Sequence, residues 1–293
     1  MVKQDQVISL PDGRQLGYLI VGEGKPVFYF HGTASSRLEV LLLKKLAYKK
    51  QLSIIGIDRS GAGLSTFTPR NSLQNFNADI SYLADYLKIN EFAVLSWSGG
   101  GPYALTYLAF FPERVTHAVI VGSPALPFDA ATAHNNPFAR FAMKFPALGL
   151  FALRRLRTQI VNANKDIEAF LQSNNGKKML TKWPKEDTKF FADKTWLSLM
   201  YNSMAEGLRQ GDDSLRAVFQ EHQLFMNEWP KEVSSIPPGK IDIWQGTDDN
   251  TCRVDNGYRI AHIIPAVHLQ IFAGKGHCVM FDNLENLGTL LLT

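Results

Sequence analysis

Short apolar runs alternate with amphipathic stretches through the first 124 residues. Residues 27–31, 53–57, 92–97 and 116–122 are largely uninterrupted apolar segments of strand length. Such runs predict strands buried on both faces, as in a parallel sheet. Between them, residues 36–50, 73–88 and 99–111 carry helical spacing, so the pattern reads as successive βαβ units with right-handed crossovers. Residues 4–22 precede this series and read as a β-hairpin around Pro11-Asp12-Gly13, whose residue types suit a tight turn. After Gly122-Ser123-Pro124 the rhythm breaks. Helical patterns without a convincing strand continue until Ile236-Pro237-Pro238-Gly239, and strands are expected again at residues 240–246 and 267–273. The predicted architecture is α/β: a mostly parallel central sheet flanked by helices, formed by residues 1–124 and 236–293, with residues 125–235 inserted as a helical unit.

Composition narrows the picture. The chain has 293 residues, 45% of them hydrophobic, enough for a large buried core. A formal net charge of +4 with scattered basic residues, apart from Arg154-Arg155-Leu156-Arg157, argues against a nucleic-acid partner. The N-terminus has no apolar leader core and no run reaches membrane-spanning length, so a cytoplasmic, soluble protein is expected. Two cysteines, Cys252 and Cys278, fit reduced thiols better than a disulfide framework. They flank the candidate site in sequence, which leaves a redox role open.

The chemistry centres on Val94-Leu95-Ser96-Trp97-Ser98-Gly99-Gly100-Gly101-Pro102, an apolar run that ends in a serine crowded by small residues and then turns helical. This reads as a nucleophile elbow, with Ser98 lifted on a tight strand-to-helix turn whose flanking positions must be small. Position 96 is serine where the usual G-x-S-x-G pattern has glycine. A serine hydroxyl needs a base, and the base needs an orienting acid. His277, on the glycine-rich loop Gly274-Lys275-Gly276-His277, is the candidate base. Asp249, in Thr247-Asp248-Asp249-Asn250 after the strand at 240–246, is the candidate acid, with Asp248 as the neighbouring alternative.

The order Ser, Asp, His resembles that of the α/β-hydrolase fold family. Further motifs strengthen the resemblance: Phe28-Tyr29-Phe30-His31-Gly32-Thr33 is similar to the family's strand followed by HG-x. Asp58-Arg59-Ser60-Gly61-Ala62-Gly63-Leu64-Ser65 is similar to its D-x-x-G-x-G-x-S loop, and Gly276-His277 to its histidine loop. The resemblance implies an oxyanion hole made by the Thr33 and Gly99 amides, and places Asp249 at the acid position by its spacing from Gly246. It also implies a cap domain in the helical insertion and an acyl-enzyme mechanism with no cofactor. A small to medium hydrophobic carboxylic ester, or a related acyl compound, is the expected substrate. Two alternatives stay open: a hydrolase-like receptor with slow or vestigial turnover, and a cofactor-free perhydrolase or haloperoxidase-like activity.

Other features suggest less. Phe138, Phe141, Met143, Phe145, Leu148, Leu150, Phe151 and Leu153 either pack the insertion or line an acyl pocket. With Arg140, Lys144, Arg154, Arg155 and Arg157 beside them, they also allow contact with a membrane surface. His31 reads as a shaper of its loop. His117, His134, His222, His262 and His268 lack metal-ligand spacing, so no metal is expected. Gly61-Ala62-Gly63 lacks the context of a phosphate cradle.

Overall fold

A computed structural model describes residues 5–128, 145–264 and 267–293. Among these residues, eight strands form one sheet in the order β1-β2-β4-β3-β5-β6-β7-β8. The strands are β1 (Gln6–Ser9), β2 (Gln15–Gly22), β3 (Lys25–Phe30), β4 (Leu52–Ile57), β5 (Phe92–Trp97), β6 (Val115–Val121), β7 (Ile241–Gly246) and β8 (His268–Phe272). The expected hairpin is β1 with β2, and β2 runs antiparallel against β4. All the other pairings are parallel. The α/β architecture predicted from the sequence is therefore the one found.

The continuous apolar runs follow from burial on both faces. Phe28, Phe30, Phe92, Val94, Ala118 and Ile120 point into one core. Val27, Tyr29, Ala93, Leu95, Val119 and Val121 alternate with them and point into a second core on the other face. Helices α2 (Asn77–Tyr86) and α3 (Gly101–Phe110), preceded by α1 (Lys44–Lys50), are in the expected intervals. The stretch expected as a helix over 36–50 is two elements, because residues 37–43 wind as a 3₁₀ helix before α1. This turn puts the charged Arg37 and Glu39 side chains inside the protein, at 1% and 0% exposure.

Between β6 and β7 the described residues hold helices α4 (Pro146–Lys165), α5 (Ile167–Gln172), α6 (Asn174–Leu180), α7 (Lys185–Ala192), α8 (Lys194–Gly207) and α9 (Asp212–Phe225). Helices α10 (Asp255–Ile263), α11 (Val279–Asp282) and α12 (Leu284–Leu290) complete the chain. The helical segment has a small core of its own, Ile160, Leu208, Leu215 and Val218, with Leu150 and Leu153 packed on it. Phe151 and Phe145 are exposed, and Arg155 lies over the Phe151 ring. Phe138, Arg140, Phe141, Met143, Lys144 and His134 lie outside the described residues. No helix among those described is long and apolar enough to cross a membrane.

Candidate active site

Strand β5 ends at Trp97, and the chain reverses into a single 3₁₀ turn, Ser98–Gly100, before α3 begins. Ser98 has φ 55°, a left-handed backbone that costs a non-glycine residue energy and marks a site held by its surroundings. The small neighbours are sterically required. A β-carbon on Gly100 would lie 2.1 Å from the Phe30 carbonyl oxygen, and one on Gly101 would lie 2.0 Å from Ser123 Oγ. At position 96 there is room for serine, but the side chain is fully buried and its hydroxyl has no hydrogen-bond partner among the described residues. A buried unpaired hydroxyl costs about 1–3 kcal/mol. Ser96→Ala is therefore expected to be neutral to stabilising. It should raise the melting temperature by up to roughly 2–4 °C per kcal/mol recovered, and a clear fall in melting temperature would show that the hydroxyl has a hidden partner.

The elbow faces the ends of β7 and β8. His277 Nδ1 is 2.8 Å from Asp249 Oδ2, and both residues are buried. Asp249 Oδ1 accepts the amides of Thr251 and Cys252, each at 2.8 Å, and Oδ2 also accepts Gln245 Nε2 at 3.0 Å. A carboxylate held by so many donors has one orientation, so it fixes Nδ1 as the protonated ring nitrogen. Asp248 is exposed and accepts only the Thr247 hydroxyl, at 2.9 Å, among the bonds described. The geometry thus pairs His277 with the second of the two adjacent aspartates.

The backbone of His277 is as constrained as its ring. Its N–H donates to Asp187 Oδ2 at 2.7 Å, and its carbonyl accepts Trp97 Nε1 at 2.9 Å. The Trp97 and His277 rings are tilted against each other at 5.3 Å. Among the described bonds Nε2 alone is uncommitted. Burial disfavours the imidazolium, yet the adjacent Asp249 charge and hydrogen bond, joined by Asp187 and Glu39, outweigh it. The His277 pKa consequently lies above its ordinary value.

Thr33 and Gly99 are also brought together: a β-carbon on Gly99 would fall 2.1 Å from Thr33 Oγ1 and 3.1 Å from its amide nitrogen. The loop carrying Thr33 is pinned from several sides. Glu39 Oε2 accepts the Gly32 amide at 2.9 Å and the Tyr29 hydroxyl at 2.8 Å. Thr33 Oγ1 donates to Glu221 Oε1 at 2.5 Å, and Arg59 Nε donates to Glu221 Oε2 at 2.7 Å. Arg59 also donates to the His31 and Gly32 carbonyls. His31 is buried, and burial with the nearby Arg59 charge holds its pKa well below normal, so it remains a neutral, structural imidazole. Asp58 likewise anchors backbone: its carboxylate accepts the Arg37 and Leu64 amides at 2.7 and 2.8 Å.

Cys252 links the elbow to the acid loop. Its amide donates to Asp249, and its thiol is in hydrogen-bond contact with the Ser98 side chain. A chain of contacts thus runs from Ser98 through Cys252 to Asp249 and on to the His277 ring. Both cysteines are buried and unpaired, and burial beside carboxylates pushes both thiols well above their ordinary pKa. This is the inert, protonated state.

The alpha/beta hydrolase fold model matches residues 25–284. The chain belongs to the alpha/beta hydrolase fold family. This alpha/beta hydrolase is 27% identical over 190 residues to the uncharacterized hydrolase YcgS of Bacillus subtilis, covering 56% of this chain and 66% of that relative. The match thus spans just under two thirds of the relative's length. Among solved structures it resembles an alpha/beta hydrolase fold protein from Nakamurella multipartita, with TM-score 0.69, 17% identity, and coverage of 98% of this chain and 99% of the other. A putative aryl esterase from Burkholderia cenocepacia superposes equally well, with TM-score 0.69, 18% identity, and coverage of 98% and 96%.

Several residues that shape the site of this alpha/beta hydrolase carry no motif signature of their own. Glu39, Glu221 and Asp187 sit in helical stretches with no local signature. Trp97 and Gln245 read as ordinary strand residues until the partner of each is seen. The described histidines, cysteines and carboxylates form no group of three or more arranged to hold a metal ion.

Proposed function

We propose that this protein is a serine hydrolase that cleaves a carboxylic ester of a small to medium hydrophobic substrate through a covalent acyl-enzyme. The observation that supports the reading is a strained, left-handed Ser98 linked through Cys252 to a buried His277–Asp249 pair, with His277 Nε2 uncommitted among the described bonds. In the first step His277 Nε2 takes the Ser98 proton as Oγ attacks the ester carbonyl carbon, and Asp249 stabilises the imidazolium that forms. The amides of Thr33 and Gly99 receive the oxyanion, with the N-terminus of α3 behind them. Collapse of the tetrahedral intermediate expels the alcohol, which takes the proton from His277. A water then repeats the sequence on the acyl-enzyme and releases the acid and free Ser98.

The helical segment acts in this reading as a cap that selects substrate. A groove of about 710 Å³, lined in part by Ile160, Phe170, Met179, Trp183 and Tyr201, opens beside Thr251, two residues from Asp249. That volume is in the range of small-molecule sites, and its walls mix these apolar side chains with polar ones such as Asn162, Asp166, Lys178 and Lys182, which suits a small ester with an apolar body and polar ends.

Fluorophosphonate labelling with intact-mass readout, run beside a p-nitrophenyl ester series from acetate to long chains, tests the proposal. One adduct per chain and turnover that peaks at a short or medium acyl length are expected. Turnover needs neutral His277, whose pKa is raised above 6.5, so kcat/KM should fall as pH drops through a limb above that value. No adduct and no turnover from folded protein would overturn the proposal, and tight binding of an ester without turnover would replace it with a receptor role.

A further inference from the structure

We propose that Asp187 is a positioning residue for the reaction: a carboxylate from the helical segment that fixes the backbone on which His277 stands and places a second negative charge behind its imidazole. The inference rests on the reading of His277 as the base.

The contact is built and dry. Asp187 is 1% exposed, its Oδ2 accepts the His277 amide at 2.7 Å, and its Oδ1 accepts the Cys278 amide at 3.0 Å. One carboxylate thus satisfies two consecutive buried N–H groups across ninety residues of sequence. It also accounts for the glycine before the histidine. Gly276 has no left-handed backbone to require glycine, but a β-carbon there would sit 2.1 Å from Asp187 Oδ2. The hydrogen atom at position 276 is what lets the carboxylate reach the loop.

Asp187 is itself held firmly in the first turn of α7. Trp183 and Phe191, on either side of it in sequence, stack at 4.0 Å, and Phe191 packs into the sheet-side core that contains Trp97. Outside it, Lys275 bridges Glu186 and Asp282 at 2.9 and 3.1 Å, and Lys189 reaches Asp282 at 2.6 Å. The histidine loop is therefore fastened to the helical segment at its backbone and at its surface. A shift of α7 would carry the base with it, and reacting groups tolerate little displacement.

The electrostatic consequence is separable from the mechanical one. The groups that face His277 are Asp249 on Nδ1, Asp187 at its amide, Glu39 from the 3₁₀ helix, and the neutral Cys252 and Cys278 thiols; Lys275, Glu186, Lys189 and Asp282 form the outer ring. Asp187, Asp249 and Glu39 all favour the imidazolium. Removing the Asp187 charge while keeping its shape should therefore lower the pKa of His277, which loss of a merely structural contact would not do.

The test compares wild-type protein with Asp187→Asn, Gly276→Ala and, as a remote control in the same segment, Asp212→Asn, whose exposed side chain pairs only with Arg154 among the ion pairs described. For Asp187→Asn we expect kcat on p-nitrophenyl butyrate to fall about 10- to 100-fold, with KM within about twofold because the residue does not touch substrate. The acid limb of kcat/KM, and the His277 ring titration followed by NMR, should both move to lower pH. Gly276→Ala should lower kcat comparably, by pushing the loop off the carboxylate, while Asp212→Asn matches wild type. An unmoved His277 titration in folded Asp187→Asn overturns the inference, as does a change confined to KM. If Asp187→Asn does not fold, an unchanged kcat in Gly276→Ala overturns it. The NMR titration reads the shift without turnover, so an inactive wild-type protein would sink the hydrolase reading and leave this inference separately decided.

Discussion

Ser98→Ala is expected to lower kcat/KM for the best ester by roughly 10⁴- to 10⁶-fold, the loss typical of removing the nucleophile from a unit whose members act together. The fold should survive. Ser98 is partly exposed, its described side-chain contact is the Cys252 thiol, and alanine meets the same left-handed backbone without a worse clash. A melting temperature within a few degrees of wild type would therefore accompany the loss, together with complete disappearance of the fluorophosphonate adduct. Residual catalysis should persist above the uncatalysed rate, because the oxyanion donors and the binding surface remain. If the variant keeps activity within tenfold of wild type, or takes up the label elsewhere, Ser98 is not the nucleophile.

The second large effect separates two adjacent carboxylates. Asp249→Asn should reduce kcat about 10⁴-fold, whereas Asp248→Asn should stay within about twofold. The asparagine is nearly isosteric, so its cost is one of proton placement. An amide NH₂ turned toward His277 makes Nδ1 an acceptor and moves the ring proton to Nε2, where it can no longer receive the serine proton. Asp248 projects into solvent and bonds to Thr247, so neither its charge nor its shape reaches the ring. Steady-state kinetics on both single variants settles the point, and a larger loss from Asp248→Asn would mean that the acid loop is out of register by one.

The sheet was legible because strands buried on both faces leave unbroken apolar runs, and the boundaries expected for β3 through β8 agree with those found to within two residues. The elbow was legible for a different reason, since its steric demands are local and force small residues at fixed offsets from Ser98. The split of residues 36–50 into a 3₁₀ helix and α1 was not, because apolar spacing near 3.6 does not distinguish the tighter winding that internalises Arg37 and Glu39. Helix α10, the crossover between β7 and β8, was also missed: its nine residues are amphipathic, but so short a stretch, interrupted by Gly257, gives few repeats of the helical period to recognise. Asp187, Glu39 and Glu221 were invisible for a deeper reason. Asp187 and Glu39 bind backbone amides, which leave no residue-type signature at the other end of the bond, and Glu221 meets Thr33 and Arg59 across more than 160 residues of sequence.

The attachments between the helical segment and the sheet's loops bear on how this scaffold would tolerate recombination. Ser203 on α8 is hydrogen-bonded to both Ser35 and Ser36, and Gly207 lies so close that a β-carbon would fall 2.2 Å from the Ser35 carbonyl oxygen. Glu221 on α9 bonds Thr33. A chimera that imports foreign helices in place of residues 146–225 to change its preference among esters would delete these contacts along with the groove. Transplants that retain Ser203, Gly207 and Glu221 should keep their rate, and those that match only the groove should be folded and slow.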